Sequence, residues 1–141
     1  MKICGVNLVG NDADICLLFL ENKQFTLREC RVRRLTLPKD HTREDLQEFQ
    51  FAFAKLMEDY MVTKIAIRER MRKGKFAGGA ISFKLEAAIQ LIKNIDVVVL
   101  SPAQIKSALT ENKMAISFEN TGLKAFQKDA FTVAYAAHMI K

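Results

Sequence analysis

Proline and glycine are scarce in this sequence, two and six among 141 residues, and low-complexity tracts are missing. With half of the residues apolar, that composition excludes a mainly disordered chain. It suits one globular domain, residues 1–141, with a sizeable core. Long apolar runs are missing too. The longest is "ICLLFL", Ile15 to Leu20, against the roughly 20 residues a bilayer-spanning helix needs, so no membrane association is expected. The opening "MKICGVNLVG" has no A-x-A-like cleavage site and passes straight into alternating residues. It reads as a strand, not a signal peptide, and a cytoplasmic location is expected.

Soft metal ligands are equally thin. Cys4, Cys16 and Cys30 sit in apolar, strand-like segments without a C-x-x-C pair, and the two histidines, His41 and His138, lie near opposite ends. Buried reduced thiols are expected, and a structural zinc site is excluded. No G-x-S-x-G or paired Cys–His arrangement offers a nucleophile. "GKFAGGA" is not a phosphate loop, because Phe76 stands where Ser or Thr is needed and its glycines follow the lysine.

What is present is a concentrated positive charge. Arg68, Arg70, Arg72, Lys73 and Lys75 flank one acid, Glu69, giving net +4 in eight residues of a chain whose total is +6. Such a cluster is either a solvated surface or an anion-binding edge.

Periodicity orders the elements. Lys2 to Val9 and Asp14 to Leu20 read as an antiparallel pair joined by the turn "GNDA". Phe25 to Leu37 reads as a third, bent strand. Thr42 then caps a helix, with Asp45 at the box position and Leu46, Phe49, Phe53, Leu56, Met57 and Tyr60 on one face. Phe51 falls off that face. Lys64 to Ile67 is a short strand, and Ala80 to Lys93 a helix whose polar stripe is limited to Ser82, Glu86, Gln90 and Lys93. "DVVVL", Asp96 to Leu100, is the continuous run of a strand buried on both faces. In "SPAQ", Ser101 caps a further helix with Pro102 at its first position and Gln104 at the box position. A last helix is expected from Thr121 to Ile140, with Leu123, Phe126, Ala130, Val133 and Ala137 as its buried stripe and Asp129 at the edge. The sum is an α/β fold, a mixed sheet flanked by helices.

Three segments carry a resemblance. "CGVN", Cys4 to Asn7, resembles the first-strand "GID" motif of RuvC-type Holliday-junction resolvases. "AIRE", Ala66 to Glu69, resembles the "AIE" at the end of their fourth strand, and "DAFTVAYAA", Asp129 to Ala137, resembles the "DALAIA" of their C-terminal helix. The whole chain is similar to a small bacterial family of uncharacterised proteins in the RNase H-like clan. The resemblance implies an RNase H-like mixed five-stranded sheet: three antiparallel N-terminal strands, then βαβ additions. It also implies a two-metal nuclease site, in which clustered carboxylates hold magnesium ions about 4 Å apart.

Residue by residue that site is thinned. Asn7 replaces the first acid. Arg68 stands at the second position, with Glu69 one residue late and therefore on the opposite face unless a bulge intervenes. Asp129 survives, while Phe126 replaces a further acid. Asp12 and Asp14, in the turn and the second strand, would substitute only if the hairpin bends unusually.

Three readings stay open. In the first, an RNase H-like protein with lost or weak catalysis binds DNA or RNA phosphates through Arg68, Arg70, Arg72, Lys73 and Lys75. Phe76 in that loop then either stacks on a base or anchors the loop to the core. In the second, a metal-dependent endonuclease uses Glu69 and Asp129 as catalytic and Mg²⁺ or Mn²⁺ ligands, with Asn7 as a neutral ligand. In the third, a structural or regulatory protein self-associates through residues 80–93 and Phe51. The residues favour the first, in a homodimeric form.

Overall fold

Alternating apolar side chains along three segments build the centre of the molecule, whose computed structural model describes residues 1–71 and 79–140. Strand β1 (Lys2–Val9) pairs antiparallel with β2 (Asp12–Glu21) and parallel with β5 (Lys64–Arg68), which pairs parallel with β6 (Asp96–Leu100). Two further strands, β3 (Gln24–Arg28) and β4 (Arg34–Thr36), both pair with β2. The sheet order is β3-β2-β1-β5-β6, with β4 off this path on β2.

The expected third bent strand is thus two strands. Residues 29–33 leave the ladder between them, and six strands result among the described residues where five were expected. The five on the main path keep the anticipated plan of antiparallel start and parallel additions. The β2–β3 turn uses Asn22 and Lys23, both with positive φ (52° and 63°), the left-handed pair that matches strand twist in a two-residue hairpin.

Each face of the sheet has its own helical cover. Cys4, Val6, Leu8, Ile15, Leu17, Ile65 and Ile67 point to one side, where α1 (Arg43–Asp59) and α2 (Ala80–Gln90) supply Phe53, Leu56, Leu85 and Ile89. Burying each such side chain stabilises the fold by about 1.5–3 kcal/mol. Both predicted capping boxes form, Thr42 with Asp45 on α1 and Ser101 with Gln104 on α3 (Pro102–Glu111). On the other side Ile3, Cys16, Leu18 and Ala66 meet α3 and α4 (Lys128–Met139).

Contact between α4 and the sheet is closest at Gly5. A Cβ there would overlap the Ala130 carbonyl oxygen and lie 2.8 Å from Ala134 Cβ, so only glycine lets the helix come down on β1. That contact fixes the first turn of α4 over the carboxyl end of β1.

Three expectations are corrected. The last helix starts at Lys128, after two short 3₁₀ turns, so the wheel drawn through Leu123 and Phe126 does not apply, and Phe126 is partly exposed. β6 is an edge strand whose three valines are only half-buried. The polar stripe of α2 is displaced as well. Ser82 is fully buried, because its hydroxyl donates to Gly79 O (2.6 Å), whereas Leu91 beyond the helix is exposed.

Candidate functional site

Asn7 and Asp14 are directly paired in the β1–β2 ladder, and Asp14 is in turn paired with Arg34 of β4. Cross-strand partners share a face, so these three side chains form a row on the side of the sheet that carries α4. Two residues before Asn7 on that face lies Gly5, under Ala130. The row sits near the carboxyl end of β1, the edge at which α/β sheets with parallel strands commonly place their ligands.

Asp14 is almost fully buried and gives both oxygens to Arg34: Nε donates to Oδ1 at 2.6 Å and Nη2 to Oδ2 at 3.3 Å. Asp12, on the same face, has Oδ2 3.8 Å from Arg34 Nε and accepts from Thr36 Oγ1 (2.6 Å) through Oδ1. The guanidinium also lies over the Phe126 ring, 4.3 Å from its centroid. The hydrogen bond to Asp14 is the main reason the Arg34 pKa is raised above its ordinary value. Asn7 contrasts with this. It is 5% exposed, and its Oδ1 is buried with no hydrogen-bond donor among the described residues.

Arg68 ends β5. One rung past the last β1–β5 pair, Val6–Ile67, Arg68 and Asn7 come onto neighbouring strands. Arg68 and Asp129 line one cleft of about 350 Å³ together with Ile105, Lys106, Thr110 and Thr132. Asp129 is exposed, and no ion pair joins it to a described residue.

Glu69 does not line that cleft. Its N–H donates to Leu100 O (2.9 Å), the bond a regular parallel ladder makes after the Arg68–Leu100 pair, so no bulge turns it back towards Asp129. Arg70 is partly buried, and its Nε has no acceptor among the described residues. Arg72, Lys73, Lys75 and Phe76 lie outside the described residues.

The two-magnesium site implied by the resemblance meets the wrong donors here. Divalent magnesium needs hard, anionic oxygens. Asn7 is neutral, Asp14 is spent on a guanidinium, and Arg68 brings a positive charge into the cleft that holds Asp129. Among the described residues no group of three or more His, Cys, Asp or Glu is arranged to hold a metal ion. The residues present do not fit the pair of ions.

Arg34 carries no motif in the sequence, and neither it nor its pairing with Asp14 follows from the residue pattern. A signal existed for Asp14. With a two-residue turn at Gly10 and Asn11, partners in the hairpin sum to 21, which pairs 7 with 14. The second strand begins at Asp12 and not at the expected Asp14, and this sets that register.

Comparison with known proteins agrees with this architecture. A family model described as "Protein of unknown function (DUF3010)" matches residues 1–137. No curated protein matches the sequence. Among solved structures, Thermus thermophilus RuvC is similar with a TM-score of 0.76 at 13% identity, over 99% of this chain and 94% of that one. T. thermophilus RuvC in complex with Holliday junction substrate gives 0.73 at 12% identity over the same shares. The Fowlpox virus resolvase in its complex with substrate Holliday junction DNA gives 0.58 at 14%, over 100% of both chains. The fold is therefore RuvC-like, of the RNase H class, and identities this low speak to fold alone.

Proposed function

Taking as premise that the chain belongs to the DUF3010 family and has a RuvC-like RNase H fold, we propose that it binds nucleic acid through the phosphate backbone and has lost two-metal cleavage. Arg68 is the observation that carries this reading. It projects into the cleft at the carboxyl end of β5 with Lys106 nearby, at the position where the resemblance requires a glutamate. A guanidinium repels magnesium and attracts the phosphate that metal ions would otherwise hold.

Arg70, two residues further on, adds a second guanidinium just beyond the end of β5. Arg72, Lys73 and Lys75 continue the positive run in sequence. Two of the solved relatives are described with Holliday junction DNA, so branched DNA is the first ligand to try.

The test is fluorescence anisotropy with a labelled four-way junction, a duplex, a single strand and an RNA hairpin, each across a salt series. Affinity should fall steeply with salt, at about −0.9 in log–log slope per phosphate neutralised on duplex DNA. Arg68→Ala with Arg70→Ala should weaken binding, and magnesium or manganese should yield no cleavage. Absence of binding at low salt removes the reading, as does cleavage by clean protein.

A second reading, self-association as a homodimer, has its own observation. Phe51 on α1 is 73% exposed and Leu91 after α2 is 72% exposed, and Leu91 lines a shallow apolar groove between those helices. Sedimentation equilibrium of the wild type against Phe51→Ser with Leu91→Ser tests it. A wild-type monomer at high concentration ends it.

A further inference from the structure

The cleft that holds Arg68 is lined by polar side chains of two helices, and they ask for different things of a ligand. Helix α3 contributes Lys106 and Thr110, one turn apart, and α4 contributes Asp129 and Thr132, also on one side of their helix. Arg68 and Lys106 are donors with no acceptor capacity, the kind of group that a phosphate satisfies. The other polar groups are acceptors. Thr110 Oγ1 already donates to Lys106 O (2.8 Å) and Thr132 Oγ1 to Lys128 O (2.8 Å). Each hydroxyl has therefore spent its proton on its own helix and offers only lone pairs to the cleft. Asp129 adds a carboxylate at the exposed rim.

A bare phosphodiester serves only part of this lining. It has no hydrogen to give, and its charge meets the Asp129 carboxylate as well as the cations. The cleft suits an anion with a hydrogen-bond donor beside it. In a nucleic-acid strand the ribose 2′-hydroxyl is such a donor, since it stands next to the 3′-phosphate and deoxyribose lacks it. The volume, about 350 Å³, is at the small end of ligand pockets, and Ile105 and Leu109 give it an apolar wall for the face of one sugar.

On the reading that this cleft binds a nucleic-acid strand, we propose that the strand is RNA and that Asp129 selects it, accepting a hydrogen bond from a ribose 2′-hydroxyl while Arg68 and Lys106 hold the adjoining phosphates. A DNA strand in the same place leaves the carboxylate without a donor and close to a phosphate. DNA is thus disfavoured twice.

The experiment uses the full chain and three labelled short single strands of one sequence. They are RNA, DNA with deoxyuridine in place of thymidine, and 2′-fluoro RNA, which keeps the ribose pucker and loses the donor. Fluorescence anisotropy at low salt should find RNA bound at least about fivefold more tightly than DNA, less than the full worth of a hydrogen bond to a charged group because the cleft is open to water. The 2′-fluoro strand should fall to the DNA value. Asp129→Ala should bring the RNA-to-DNA ratio close to one, whereas an acid kept only for the α4 dipole would leave that ratio unchanged.

A preference for RNA that survives in the 2′-fluoro strand or in Asp129→Ala overturns the proposal. Equal affinity for RNA and DNA overturns it too, and leaves the nucleic-acid reading in place. Failure to bind any strand removes both together. The 2′-fluoro comparison is made on wild-type protein, so the outcome does not depend on whether the variant folds.

Discussion

Asn7 and Asp14 face each other across the β1–β2 ladder, yet they end in opposite electrostatic states. Asp14 spends both carboxylate oxygens on Arg34, while the Asn7 Oδ1 is buried without a donor among the described residues. The carboxylate in this pair belongs to β2, and the amide stands on β1, where the resolvase-like pattern has its acid.

The Asp14–Arg34 pair should be worth measurable stability. Removing the partner of a buried charge costs 3–5 kcal/mol in the usual case, and the partial exposure of Arg34 reduces this to about 2 kcal/mol for Arg34→Met. Adding Asp14→Asn should recover part of the loss, since no unpaired charge remains. Urea titrations of both variants check this, and a double variant no more stable than the single one contradicts it.

Gly5→Ala should be costly out of proportion to one methyl group. The new carbon meets the Ala130 carbonyl, and backbone cannot step aside as a side-chain tip would. A loss of about 3 kcal/mol, the upper part of the overpacking range, is expected from chemical denaturation. A neutral result would mean that α4 does not sit down on β1 here.

His138 makes stability pH-dependent. Its Nε2 lies 2.7 Å from Leu18 O, so the neutral ring carries its proton there. Burial lowers its pKa, with the N-terminal ammonium and Lys64 adding to the effect, against an opposing hydrogen bond to Leu18 O. The unfolded ring takes up a proton near the ordinary value of about 6.5, and the folded ring only at lower pH. The stabilisation is therefore complete above about pH 6.5 and is lost as pH falls towards the folded value. His138→Gln should flatten the fall of the urea midpoint between about pH 7 and about pH 5. An unchanged slope would exclude His138 as its cause.

The three thiols should separate by reactivity. Cys4 and Cys16 are buried, and burial is the main cause pushing Cys16 up to about 12 and raising Cys4. Cys30 is half-buried and raised less strongly. An aromatic disulfide reagent near neutral pH should label Cys30 first, and label Cys4 and Cys16 only after denaturation. Fast labelling of Cys16 in the native protein would contradict its burial between β2 and α4.

Local signals in the sequence reached the structure where the physics was local. Thr42 with Asp45 and Ser101 with Gln104 announce their helices because a capping box is decided within four residues. "DVVVL" misled, because an apolar run reports burial on two faces and not position in the sheet, and β6 lies at the margin. Phe126 misled for a different reason. A helical wheel is valid only inside one helix, and Phe126 lies in the 3₁₀ turn that precedes α4. Arg34 carried no motif, since its role depends on where β4 lands on β2.

The strand connections also set an order of assembly. The β1–β2 hairpin closes through a two-residue turn, and β4 pairs back on β2 within the first 36 residues, so Asn7, Asp14 and Arg34 are gathered by short-range pairing. Pairing Ile3 with Lys64 must close a loop of about sixty residues, at a larger entropic cost. The charged row should therefore form while Arg68 is still far away. Pulse-labelling hydrogen exchange during refolding should protect the amides of β1 and β2 against each other before those of β5 and β6. The cation at the centre of the row should then be an early contact of the hairpin end as well as its counter-charge.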